Sequence, residues 1–218
     1  MINNKRIINK NKYHLEIERK GFTLLELIIT VTILAVLIGI VVVAINPAEQ
    51  LARARDAKRV ADLDAIKSAI ILYTATATST VNLDGNGTAN STCANGSGTD
   101  TWYVNTIAGV LAPPGSFATA TSTTQTIGTA GWLKARLDQT PGGSPLANLP
   151  LDPTNGAGSG TTYYYSYACD VNDKTFELTA RLESTYFRTD IDTDGTDGGN
   201  STSTYESGTK LTILPDLF

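Results

Sequence analysis

Three sets of residues have types and spacings that could do chemistry. Glu26 is the only ionisable side chain in the 24 residues from Phe22 to Ile45. A carboxylate inside an apolar helix costs up to a few kcal/mol unless it is shallow, neutralised or paired, so it asks for a cation. A cut after Gly21 would supply one, because the new α-amino group of Phe22 would lie four residues from Glu26, about one helical turn away. The chemistry would be proteolysis followed by amine–carboxylate pairing, within one chain or between neighbours. The second set is Asp190, Asp192 and Asp194, then Gly195, with Asp197 close behind. Hard carboxylate oxygens at alternate positions before a glycine match the first half of a calcium loop, although the twelfth position is Ser201 rather than a bidentate glutamate. A solvated Asp/Gly turn would read the same way. The third set is the only cysteine pair, Cys93 and Cys169. In an oxidising compartment one disulfide would stabilise the chain by about 4 kcal/mol on the chain-entropy estimate, and two free thiols are the alternative.

Several function classes are excluded. The only histidine is His14, ahead of the apolar run, which removes Ser-His-Asp and Cys-His catalysis and any His-ligated zinc from the rest of the chain. No Gly-rich phosphate loop follows a strand and no Cys-x-x-Cys motif is present. The chain is therefore not expected to be an enzyme. Residues 1–21 carry six Lys or Arg against two Glu, leaving 11 basic and 19 acidic residues in the remainder. A net-acidic body does not suit general nucleic-acid binding.

The elements that must position these residues start with the apolar run. As a helix it would reach roughly 36 Å, enough to cross a hydrocarbon core of about 30 Å. It is longer than the apolar part of a secretory signal and lacks a small-residue cleavage site after it, so it stays in the mature protein. The basic leader favours an N-in orientation, which Arg53, Arg55, Lys58 and Arg59 beyond the span oppose. Asn46-Pro47 can be a break or a cap with proline at the first helical position. From Ala48 to Tyr73 no Gly or Pro intervenes, and Leu51, Val60, Leu63, Ile66, Ile70 and Tyr73 form an apolar stripe, with Arg55, Asp56, Arg59, Asp62 and Lys67 on more polar faces.

Residues 76–135 are rich in Ser, Thr and Gly and read as a variable, loop-rich region, with Asn82 to Thr101 as an extended turn and Trp102-Tyr103-Val104 and Trp132-Leu133 as anchor points. Asn86, Asn90, Asn95 and Asn200 begin Asn-x-Ser/Thr triplets, which chance also supplies in so Thr-rich a chain. Residues 136–218 read as a β-domain. Tyr163 to Ala168 and the alternation of Phe176, Leu178, Ala180 and Leu182 with Glu177, Thr179, Arg181 and Glu183 predict two strands, the second half-buried, joined by a turn over Cys169 to Lys174. Lys210 to Leu214 is a third, shorter candidate.

Gly21-Phe22-Thr23-Leu24-Leu25-Glu26 followed by about 20 apolar residues resembles the prepilin motif of type IV pilins and type II secretion pseudopilins. The resemblance implies cleavage by a prepilin peptidase after Gly21, methylation of the new N-terminal Phe22, and pairing of Glu26 with a neighbour's terminus during assembly. The family's mid-helix proline is missing here, the first proline being Pro47, so a kink at that point is not expected. Leu149-Pro150-Leu151-Asp152-Pro153 with Thr154 and Asn155 looks like the Pro-x-Asp-Pro segment of major pseudopilins, whose C-terminal calcium loop would fall on the acidic cluster. The implied fold is α+β and pilin-like: a leader at 1–21, a membrane and assembly helix at 22–45, its amphipathic continuation at 46–75, the variable region, and a small antiparallel sheet. The implied partners are the chain itself, other pilin-like subunits, prepilin peptidase, the inner-membrane assembly machinery and the bilayer before assembly. The implied location is the cytoplasmic membrane, then an extracytoplasmic or cell-surface filament. A membrane-anchored adhesin or binding module that never polymerises is the alternative.

Overall fold

A computed structural model describes residues 21–78, 80–85, 93, 101–105, 118–154, 163–170 and 173–215. The basic leader at 1–20, Asn86, Asn90, Asn95, Asn155 and most of the extended turn before Thr101 lie outside the described residues. The chain divides into two units, Met1–Asn46 and Pro47–Phe218.

The described part of the first unit is one helix, α1, Leu24–Ile45. Thr23 caps its start, and Asn46 ends it in the left-handed region with φ 45°. No residue of α1 is buried. Even its polar side chains turn inward: the Thr30 and Thr32 hydroxyls donate to the carbonyls of Leu27 and Ile28 at 2.8 and 2.7 Å. This local bonding removes both hydroxyl protons from the helix surface. What remains is an apolar cylinder with one carboxylate near its start.

The second unit starts with α2, Pro47–Thr76, with proline at its first position, where a missing N–H costs nothing. Five strands follow: β1 Thr101–Val104, β2 Ala118–Thr121, β3 Tyr165–Asp170, β4 Thr175–Ala180 and β5 Tyr205–Gly208. They form one sheet in the order β2-β1-β3-β4-β5, antiparallel except for the parallel β1–β2 pair. The fold is α+β and pilin-like. Leu63, Ile66, Ile70 and Tyr73 of α2 pack against Tyr165, Tyr167, Phe176 and Leu178 of the sheet, and Leu83, Trp132 and Leu133 close the core. Trp102 to Val104 and Trp132-Leu133 are buried anchor points, as their composition predicts.

Four expectations are corrected. The third strand is Tyr205–Gly208, not Lys210 to Leu214. The latter segment instead crosses the sheet's second face, with the Ile213 and Leu214 amides donating to the Glu177 side chain at 2.7 and 2.8 Å. For the same reason β4 is not half-buried, since Glu177 and Thr179 are covered as fully as Phe176 and Leu178. The sheet also reaches back before residue 136, taking β1 and β2 from the Thr-rich region. On α2, Leu51 is 61% exposed, whereas Asp56 and Arg59, expected on polar faces, are completely buried.

Candidate functional site

Gly21 and Phe22 precede the helix, and both are exposed, Phe22 by 80%. A Cβ built on Gly21 meets nothing within 4 Å, so the folded chain itself places no demand for glycine there. Thr23 is extended at φ −81°, ψ 152°, and its Oγ1 accepts a hydrogen bond from the Glu26 amide at 3.2 Å. Thr23-x-x-Glu26 therefore has the spacing of a capping box, with one of its two bonds in place. That signature is visible in the sequence but is absent from the reading above. It gives Thr23 a role of its own: it fixes where the helix starts and so holds Glu26 one turn in. The Glu26 side chain is exposed, and no bond from it within the chain is formed among the described residues.

In the second unit, the Pro-x-Asp-Pro segment is tied to α2 by a buried ion network. Arg59 donates from Nε to Asp152 Oδ2 at 2.6 Å, from Nη2 to Asp152 Oδ1 at 3.0 Å and Thr154 Oγ1 at 3.1 Å, and from Nη1 to Asp56 Oδ1 at 2.7 Å. It also pairs with Glu183, which takes a second arginine, Arg55, at 2.6 Å. Asp56 in turn accepts the amides of Glu183 and Ser184 and the Ser184 hydroxyl. The Tyr163 ring covers the guanidinium at 4.9 Å. Burial by itself would lower the Arg59 pKa, but its bonds to Asp152, Glu183 and Asp56 outweigh it and hold the group charged. Burial likewise pushes Glu183 up, and the bonds from Arg55 and Arg59 bring it below the ordinary value. A mid-helix arginine normally reads as a solvated residue, so only the acidic partners distributed over distant loops could have identified this one.

Cys93 and Cys169 are joined by a disulfide, which ties the Thr-rich region to β3. The acidic segment folds as a π-helical turn, Tyr186–Asp190, followed by a short helix, α3, Thr193–Thr196. Asp190 and Asp192 are exposed. Asp197 spends both oxygens on backbone amides, those of Gly199 at 2.9 Å and Glu206 at 2.5 Å. Asp194 is 2% exposed, and its Oδ1 has no hydrogen-bond partner, with Arg188 3.9 Å from Oδ2. Calcium takes six to eight oxygens at 2.3–2.6 Å. Among the described residues no three Asp, Glu, His or Cys side chains gather about one point that could hold an ion.

The prokaryotic N-terminal methylation motif matches residues 18–42. The chain carries a class III prepilin leader and helix. The motif is that of structural subunits, and it covers Gly21, Phe22 and Glu26 together with most of α1. No curated protein and no solved structure matches the chain. The helix of this prepilin-type chain is long and apolar enough to cross a membrane.

Proposed function

We propose that the chain is cut after Gly21 by a prepilin peptidase, methylated on Phe22, and assembled through α1 into a filament of the type II secretion pseudopilus or type IV pilus kind. The observation that carries this reading is a 22-residue helix with no buried residue, most of which lies within a methylation motif. Such a surface must be covered from outside the chain, first by lipid and then by other subunits. The leader's positive charge gives an N-in orientation before assembly. Glu26 sets the register by pairing with the Phe22 amine of a neighbour, since a carboxylate buried in the filament core is costly without a cation. The Pro-x-Asp-Pro clasp on α2 favours the pseudopilus among the two kinds of filament.

Glu26→Ala tests the role of the carboxylate. Membrane insertion should persist, while incorporation into filaments, read by crosslinking α1 to α1 between subunits, should fall by about tenfold or more. Wild-type incorporation by the variant would sink the assigned role. Absence of any α1 crosslink in the wild-type protein would favour an anchored module that does not polymerise.

A further inference from the structure

On the second face of the sheet two carboxyl groups lie side by side in the protein interior. The β4–β5 register sets Glu177 opposite Gly208 and Thr179 opposite Glu206, so the two glutamates are diagonal neighbours on one face. Glu177 is 0% and Glu206 3% exposed. One oxygen of each is engaged by the backbone: Glu177 Oε2 by the amides of Ile213 and Leu214, and Glu206 Oε2 by the amide of Ser201 at 2.8 Å. Glu177 Oε1 is buried without an N–H or hydroxyl donor among the described residues, and the Glu177 side chain interacts with the Glu206 carboxyl. Two ionised carboxylates in that position would repel with no compensating cation, and a carboxyl hydrogen bond satisfies both.

We propose that Glu177 and Glu206 share one proton, and that this shared proton latches the C-terminal segment to the sheet, releasing it as the pH rises. Among the described residues the backbone groups bonded to the pair are N–H donors, which by themselves favour the ionised form, so the proton is held by burial and by the neighbouring carboxyl. Across the sheet, Glu177 faces Ala168 of β3, and Thr179 bonds Ser166. On the same face Asp170 of β3, opposite Thr175, is paired with Lys210 at 2.7 Å, while Asp197 acts on Glu206 from a neighbouring segment and its negative charge favours the protonated form. Burial, then the neighbouring Glu206, push Glu177 up to about 9. A Cβ on Gly199 would stand 1.9 Å from Glu206 Oε2, so the 199–201 turn is shaped to this carboxyl. Asn200 Nδ2 adds a bond to the Leu214 carbonyl at 3.1 Å, joining the same two segments. Because both folded-state values are raised, the stability the pair contributes is complete below the ordinary carboxylate range and is lost as pH rises through the folded value.

Leu214 packs with Trp102 in the small apolar cluster on this face, so Trp102 reports its departure. The test is an NMR titration of the full chain in detergent micelles with carbon-13 in the glutamate carboxyls, alongside tryptophan emission. The pair should show a carboxyl midpoint shifted up to about 9, with a red shift of emission over the same range. Glu177→Gln, whose amide replaces the protonated acid, should abolish both transitions. Two carboxyls titrating near the ordinary 4.5 would overturn the proposal, and so would a red shift unchanged in Glu177→Gln. If that variant does not fold, the wild-type carboxyl titration decides alone.

Discussion

The two units invert one another. α1 leaves every apolar side chain uncovered, while the unit that follows buries charges completely, with Arg59 and Asp56 both at 0% exposure. Buried charges persist only where partners are fixed around them, and the second unit supplies those partners from its own chain. Among its described residues the first unit supplies none for its apolar surface or for Glu26. The body of the protein is thus finished by its own fold, and under the proposed function the N-terminal helix would be finished by lipid or by other copies.

The contrast can be broken most strongly at Arg59. Arg59→Ala would leave Asp152 and Asp56 buried without their cation, and should cost about 3–5 kcal/mol in the urea unfolding of residues 47–218. A loss under 1 kcal/mol, by order of magnitude, would show the network to be dispensable. Acid probes the same network with a smaller effect. The folded pKa of Glu183 is lowered, so the stability it contributes is present above the ordinary carboxylate value and lost as pH falls through the folded one. The urea midpoint of the wild type should therefore converge on that of Glu183→Gln in acid, whereas a gap that stays constant with pH would contradict the ion-pair account. At the smallest end, Ile33→Ala in α1 should leave the unfolding midpoint of the second unit unchanged, because Ile33 is 55% exposed on a helix with no buried residue. Any shift would show that the chain itself covers α1.

The methylation motif spanning Gly21, Phe22 and Glu26 and the apolar helix were legible because a pattern confined to consecutive residues does not depend on what the rest of the chain brings near. The apolar periodicity of Leu63 to Tyr73 was legible for a similar reason, since burial of a helix face repeats locally. Arg59 was not, because its three carboxylates come from one turn of α2 and from loops more than 90 positions later. Glu177 and Thr179 read as the wet face of a strand, and only the return of Ile213 and Leu214 across the sheet makes that face interior. In the acidic segment the bonds that Asp197 accepts from the Gly199 and Glu206 amides were not legible, because Glu206 comes from a strand nine positions later.

The central claim, a processed prepilin whose naked helix is covered by its own kind, is tested most directly by intact mass spectrometry of sheared extracellular material and of the membrane fraction from the same cells. The account predicts a chain beginning at Phe22 with one added methyl group, in the sheared fraction for a surface filament or in the membrane fraction for a short pseudopilus. A chain that keeps residues 1–21 in both fractions would contradict it.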